Sequence, residues 1–255
     1  MTELPALGLL GLNVSRPTKE RAAELLDWLW QRPEEVLVLS EVAPGSGSDL
    51  LYAVCRAAGY TLFDSRRDDY GVLVVARNLR GLSLTEAGLP DLPMLPGRIL
   101  PLRLRGPGID LTLVGVYGTA SDPVRYSGKV SRERKRAWLA GLSTWLAEHA
   151  TASTLLLGDL NVVAPGYAGR LPFVLAEESA FLAHWTAAPG WVDVLARDLP
   201  LDEVTWRDHT GVGCRFDHAL ASADLAPMVE HVAIVHEPRR AKLTDHSAIT
   251  LTLTR

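Results

Sequence analysis

The chain has only two cysteines, Cys55 and Cys214, in 255 residues. They cannot build a disulfide framework, and a reducing compartment is the simpler setting. Lysine is scarce too, found only at positions 19, 129, 135 and 242. Lys plus Arg total 26 against 30 Asp plus Glu, a formal charge of −4. Proteins that coat nucleic acid through bulk charge are strongly basic, so that class is excluded. Phosphate binding would have to come from a local patch, a metal ion, or both. No apolar run approaches about 18 residues, so no membrane insertion is expected. The opening MTELPALGLLGLNV lacks a basic n-region and carries Glu3, so no secretory signal is expected and the location reads as cytoplasmic. There is no tandem repeat, no low-complexity tract and no segment that marks an obligate protein partner.

What is present is ordinary globular composition, with 47% hydrophobic and 22% charged residues. Short apolar runs alternate with helical patterns. Residues 7–14, 35–42, 70–76, 99–104, 110–117, 154–157, 215–221 and 249–253 read as strands. Residues 18–32 read as an amphipathic helix with Ala22, Leu25, Leu26 and Leu29 on one face. Residues 50–58 form a second helix, closed by Gly59. Residues 131–149 form a third, capped by Ser131, with Trp138, Leu142 and Trp145 at helical spacing. A fourth helix is expected over 173–185 and a helical turn over 191–195. The stretches 78–98 and 118–130 are irregular, and neither resembles a linker. The chain therefore reads as one α/β domain over 1–255, with a strand-rich second half that suits a two-sheet sandwich.

Acidic and amide side chains stand where the apolar runs stop. Asn13 closes the first run, and Glu41 follows VLVLS. Asp159 and Asn161 follow LLLG, two residues apart, a spacing that faces both to one side in extended chain. Asp217 lies in Arg-Phe-Asp-His, and Asp245 and His246 precede the last strand. Such an oxygen-rich set, with one imidazole and no cysteine cluster, suits a hard cation such as Mg²⁺ or Mn²⁺. The chemistry it points to is metal-assisted hydrolysis of a phosphate ester. Each residue alone is commonplace at a strand end or in a turn. Other chemistries lack their signatures: Gly45-Ser46-Gly47-Ser48 is not a P-loop, no G-x-S-x-G elbow occurs, and the histidines have no zinc spacing.

Taken in order, LNV with Asn13, LSEV with Glu41, YGVLVVA, LVGVYG with Tyr117, GDLN with Asp159 and Asn161, WVDV, TWRDH with Trp206, RFDH with Asp217 and TDHS with Asp245 and His246 resemble the endonuclease/exonuclease/phosphatase superfamily. Within it the pattern is most similar to exonuclease III-type abasic-site endonucleases, enzymes of DNA repair. The resemblance spans residues 7–253. It implies a four-layer α/β sandwich, with two facing mixed sheets, helices outside and the site at one rim. It implies that Glu41, Asp245 and Asn13 hold the metal ion and that Asp159 and Asn161 position and activate water. His246, oriented by Asp217, would contact the scissile phosphate. Tyr117 would bind the phosphate or assist the leaving group, and Trp206 would line the sugar pocket.

The expected substrate is nucleic acid, DNA ahead of RNA. Arg134 and Lys135, near the start of the third helix, and Arg66 offer basic contacts for it. The segment from Trp206 to Arg215 is shorter than a DNA-clasping loop, and no basic residue follows Glu41. These departures, with the charge of −4, imply a reduced clamp on duplex. A small phosphate ester is the alternative substrate. A non-catalytic binding module is the remaining rival, and the full set of polar site residues argues against it.

Overall fold

The computed structural model describes residues 6–254 except 66–68, 80, 89–91, 93–94, 168–170 and 188–189. The apolar runs assemble into two six-stranded sheets. The first contains β1 (Leu7–Asn13), β2 (Val36–Val42), β3 (Thr61–Asp64), β4 (Gly71–Ala76), β13 (Val229–Val235) and β14 (Ala248–Leu253), in the order β13-β14-β1-β2-β4-β3. The second contains β5 (Ser83–Glu86), β6 (Ile99–Gly106), β7 (Ile109–Tyr117), β8 (Thr154–Asp159), β9 (Trp191–Asp193) and β12 (Asp217–Ser222), in the order β5-β6-β7-β8-β12-β9. A small hairpin pairs β10 (Trp206–Arg207) with β11 (Gly213–Cys214).

Both sheets are mixed, and each has one parallel pair at its centre: β1 with β2, and β7 with β8. These strands are covered on both faces, which is why they read as nearly unbroken apolar runs. Leu9, Val38 and Val74 of the first sheet pack against Leu102, Leu113 and Leu155 of the second. At Gly11 a Cβ would lie 3.0 Å from Leu157, so β1 approaches β8 closely there.

Helices close the outer faces. α1 (Lys19–Trp30) and α2 (Ser46–Ala57) cover the first sheet, with Ala22, Leu25, Leu26 and Leu29 of α1 packed on Leu10, Leu12 and Leu37. α3 (Gly128–His149) and α4 (Ala176–Trp185) cover the second through Trp138, Leu142, Phe181 and Leu182. The result is the expected four-layer α/β sandwich.

The differences from expectation fall mainly at the sheet edges. The four edge strands are β13, β3, β5 and β9, and none was legible as a strand. Edge strands are short or half-exposed, so they lack the apolar run that marks a central strand. The turn expected over 191–195 is instead β9 followed by α5 (Val194–Asp198), with Asp193 accepting from the N–H of Leu195 and Ala196 as its cap. Helix α3 starts three residues before Ser131, and Ser127 is its cap, accepting from Val130 N–H. α4 begins at Ala176 rather than at Phe173.

Asp193 also holds a buried histidine. His218 is fully buried; its Nδ1 meets Asp193 Oδ2 at 2.9 Å and its Nε2 meets the carbonyl oxygen of Val162 at 3.0 Å. Burial opposes the imidazolium, but Asp193 and the Val162 carbonyl outweigh it and raise the pKa. The stability this pair contributes is therefore complete below about pH 6.5 and is lost as pH rises through the raised value. His218→Gln should cost about 3 kcal/mol at pH 6, and the gap from the parent should narrow toward pH 9. Denaturant unfolding at both pH values checks this, and a pH-independent gap would contradict it.

Candidate active site

Strand register sets one row of the site. In the second sheet Tyr117 of β7 lies opposite Asp159 of β8, and Asp159 lies opposite Asp217 of β12. Directly paired residues on neighbouring strands share a face, so three functional groups stand side by side. Gly158 makes this approach possible: its φ is +140°, and a Cβ there would come within 2.3 Å of the Val116 carbonyl oxygen. Beyond β8, Asp159 Oδ1 accepts from Asn161 N–H at 2.7 Å and Oδ2 accepts from Asn161 Nδ2 at 2.8 Å. Asn161 has φ +52°. The two side chains therefore meet through a turn of the Asx kind, not through the extended pleat that their spacing suggested.

The first sheet contributes Asn13 and Glu41. Pairing of β2 with β4 slips between Leu39 and Val42, and Glu41 within that bulge has φ +56°. Bulges re-aim side chains, and here a strand that is otherwise buried turns its carboxylate into the crevice. Asn13 Nδ2 donates to Glu41 Oε2 at 3.0 Å and to Asp159 Oδ2 at 2.8 Å, while its Oδ1 accepts from Ser15 N–H at 2.8 Å. Asn13 thus supplies donors that join the two carboxylates. Its oxygen is engaged by the Ser15 N–H. Ser15 and Arg16 also have positive φ, and Arg16 Nε pairs with Glu41 Oε1 at 3.1 Å. Strained backbone of this kind concentrates at functional sites.

The turn before β14 completes the set. Thr244 Oγ1 donates to the Asn13 carbonyl at 2.7 Å, tying the turn to the end of β1. Trp206 Nε1 donates to Asp245 Oδ2 at 2.9 Å. His246 Nδ1 donates to Asp217 Oδ2 at 2.7 Å, and its Nε2 lies 4.0 Å from Asp159 Oδ2. Burial works against charge on His246, yet Asp217 and Asp159 outweigh it and hold the ring protonated. Burial and the neighbouring Asp217 push the Asp159 carboxyl well above its ordinary range, against the opposing pull of His246 and Asn13. At Asp245, His246 and the Trp206 hydrogen bond overcome burial and hold the carboxyl below its ordinary value. Burial and Glu41 keep the Tyr117 hydroxyl protonated.

Glu41, Tyr117, Asp159, Asn161, Asp245 and His246 all line one crevice of about 690 Å³. Trp206 and Arg134 line it as well, and the Trp206 ring packs against Phe216 at 5.4 Å between centroids. Two groups could hold a cation. Asp159, Asp217 and His246 have ligand atoms within 4.8 Å of one another. Their short internal hydrogen bond makes that trio a carboxylate–imidazole relay. Glu41 and Asp245 line the same crevice and offer carboxylate oxygens, the donors a hard ion takes.

Sequence reading named Arg134 but missed Arg16, Arg98 and Arg125, which line the crevice with it. Arg98 is buried, donates to the Gly118 carbonyl at 3.1 Å and lies 4.2 Å over the Tyr117 ring. It sits at the end of a stretch that reads as apolar and proline-rich, so no local signal marked it. Arg66 falls outside the described residues. Lys135 is a correction: it is fully buried, and its Nζ donates to the carbonyl oxygens of Leu160, at 3.3 Å, and of Asn161. It shares the inner face of α3 with Trp138, Leu139 and Leu142. That three-and-seven spacing was a legible sign of an inward side chain. Burial lowers its pKa to about 8, against the pull of Glu178 and Asp159.

Two mixed sheets thus meet at a rim of carboxylates, amides and one imidazole. The Endonuclease/Exonuclease/phosphatase family profile matches residues 10–246, and the chain belongs to that family. No curated protein sequence matches significantly. Among solved structures, a 3′-5′ exonuclease from Neisseria meningitidis superimposes with a TM-score of 0.75 at 21% identity, covering 98% of this chain and 100% of that one. An AP endonuclease from Archaeoglobus fulgidus gives 0.73 at 20%, covering 97% and 99%. A humanized TDP2 from D. rerio gives 0.72 at 21%, covering 98% and 99%.

Because Lys135 supports the backbone under the site, Lys135→Met should lower stability by about 1–3 kcal/mol and reduce turnover. Its effect on substrate binding should be no more salt-dependent than the parent's. Thermal unfolding and a KM series in salt check this. A selectively flattened salt slope would restore the surface-contact reading.

Proposed function

We propose that this chain is a divalent-metal-dependent phosphodiester hydrolase that acts on nucleic acid, DNA ahead of RNA. The observation that carries the reading is the convergence of Glu41, Asp159, Asp245 and His246, from both sheets, on one crevice. The family is one of phosphoric ester hydrolases, and similar structures include a Neisseria 3′ phosphatase bound to a product DNA hairpin, a 3′-5′ exonuclease and an AP endonuclease. We read residues 1–255 as one domain, supported by the single core between the sheets, and place it in the cytoplasm, in keeping with two free, buried cysteines.

Glu41 and Asp245 would hold a Mg²⁺ or Mn²⁺ ion, which when bound neutralises phosphate charge and favours the leaving oxygen. Asp159, with its pKa raised by burial and by Asp217, is suited to take a proton from water, and Asn161 beside it orients that water. His246 donates through Nδ1 to Asp217, which leaves Nε2 to meet a phosphate oxygen, and with Nε2 4.0 Å from Asp159 Oδ2 the water's proton can be shared between Asp159 and His246. Tyr117 keeps its proton and can donate to the phosphate or the leaving group. Trp206 positions Asp245 through its indole N–H and presents an apolar wall to the sugar. Asn13 fixes the spacing of Glu41 and Asp159. These preset charges favour the pentacoordinate transition state over the ground state.

Asp159→Ala and His246→Ala should each cut kcat by about 10²–10⁴-fold on a DNA diester. Near-normal turnover in both would reject the assignment. EDTA should abolish activity and Mn²⁺ or Mg²⁺ should restore it, with Glu41→Gln raising the metal concentration needed for half-activity. A panel of abasic duplex, single-stranded DNA, RNA and small phosphate esters tests the substrate. Turnover confined to the small esters would replace the nucleic-acid reading.

A further inference from the structure

Beyond Tyr117, one wall of the crevice carries side chains with no part in the chemistry above. From Tyr117 outward, tyrosine and arginine alternate in unbroken contact. Arg98 lies 4.2 Å over Tyr117 and 5.2 Å over Tyr70; Arg125 lies 5.3 Å over Tyr70 and 5.6 Å over Tyr126; Arg134 lies 4.5 Å over Tyr126. All of these residues line the same crevice. Exposure grows along the run. Tyr117 is 7% exposed, Tyr70 is half-buried and Tyr126 is 36% exposed, beside Val124 at 85%. Arg125 and Arg136 are paired with Asp69 and Glu177, but among the described residues Arg134 has no ion-pair partner.

A run of stacked cations and rings would be stable buried, but its outer end is open to solvent. An exposed tyrosine flanked by two guanidinium groups offers a ring face for a base and charges for the phosphates on either side of it. A base inside a duplex has both faces stacked on its neighbours, so such a platform favours a nucleotide that has left the stack, as in a single strand. The rest of the molecule agrees. The net charge is −4, and β10 and β11 are joined by a tight turn in which Asp208 Oδ1 accepts from Thr210 and Val212, leaving no long loop to clasp a duplex.

We propose that Tyr126, with Arg125 and Arg134, forms a stacking subsite for an unpaired nucleotide of a single strand whose phosphodiester lies at Asp159 and His246. The proposal rests on reading that site as a phosphodiester hydrolase, and it specifies a single-stranded segment as what the enzyme grips.

Fluorescence anisotropy with a short labelled oligothymidylate in EDTA reads the subsite without turnover. Tyr126→Ala should weaken binding by about ten-fold, the scale of one base–aromatic stack. Tyr126→Phe should bind like the parent, and Arg134→Gln should flatten the salt slope. Blunt duplex of the same length should lose less than single strand does. Three results would overturn the proposal: no binding by the parent, equal binding by Tyr126→Ala, or equal losses for duplex and single strand. With metal added, Tyr126→Ala should lose about ten-fold more kcat/KM on the oligonucleotide than on bis(p-nitrophenyl) phosphate. If the parent hydrolyses neither, the hydrolase reading fails while the anisotropy series still decides the subsite. An oligoribonucleotide run in parallel separates RNA from DNA.

Discussion

The amide of Asn13 holds the two halves of the site together. It lies at the end of β1 in one sheet and donates both to Glu41 of its own sheet and to Asp159 of the other. The bond to Asp159 is buried and joins residues 146 positions apart. Buried polar atoms must be partnered, so the sheets cannot slide at this rim without breaking the buried Asn13–Asp159 hydrogen bond. Gly11 sets the scale of the contact, because a side chain there would press on Leu157 at 3.0 Å and force it to give. Packing between the sheets and placement of the site are thus one constraint, expressed once in apolar and once in polar groups.

The same rim concentrates buried charge. His246 lies between Asp217 and Asp159, and Lys135 donates to two backbone carbonyls directly beneath Asn161. His218 answers Asp193 a few residues away. Burying ions is costly, and replacing such pairs by apolar groups is often neutral or stabilising. What these ions provide is fixed polarity. Dipoles and charges set before substrate arrives need not reorganise when charge develops during reaction. The positive-φ residues Ser15, Arg16, Glu41 and Asn161 belong to the same economy of strain. Each is held by a hydrogen bond or ion pair that the site itself supplies.

Much of this was legible in the sequence because central strands and site residues obey simple rules. Strands buried on both faces must be apolar throughout, so β1, β2, β7 and β8 were visible, and with them the polar residues that stop each run. The edge strands β3, β5, β9 and β13 were not visible, because a half-solvated edge carries mixed residues. Asp217 was visible as a residue, but its place opposite Asp159 was not, since register depends on partners distant in sequence. Lys135 shows the opposite failure. Its charge suggested the surface, while its position on the Trp138 and Leu142 face stated the interior. Periodicity outranks residue type when the two disagree, provided backbone acceptors are within reach of the amine.

The arginine bias of the sequence also acquires a local meaning. Arg16, Arg98, Arg125 and Arg134 all face the crevice, and each lies over a tyrosine ring. A guanidinium can stack on a ring with one face and still direct N–H groups at an oxygen anion, which an ammonium cannot do. A protein of negative net charge can then present a positive lining to phosphate without becoming basic as a whole. Long-range attraction to a polyanion is weak in such a molecule, because the summed field repels at a distance and attracts only within about 8–10 Å of the crevice at physiological salt. Selectivity therefore falls to contact chemistry inside the crevice: ring faces, forked donors and the spacing of carboxylates that Asn13 enforces.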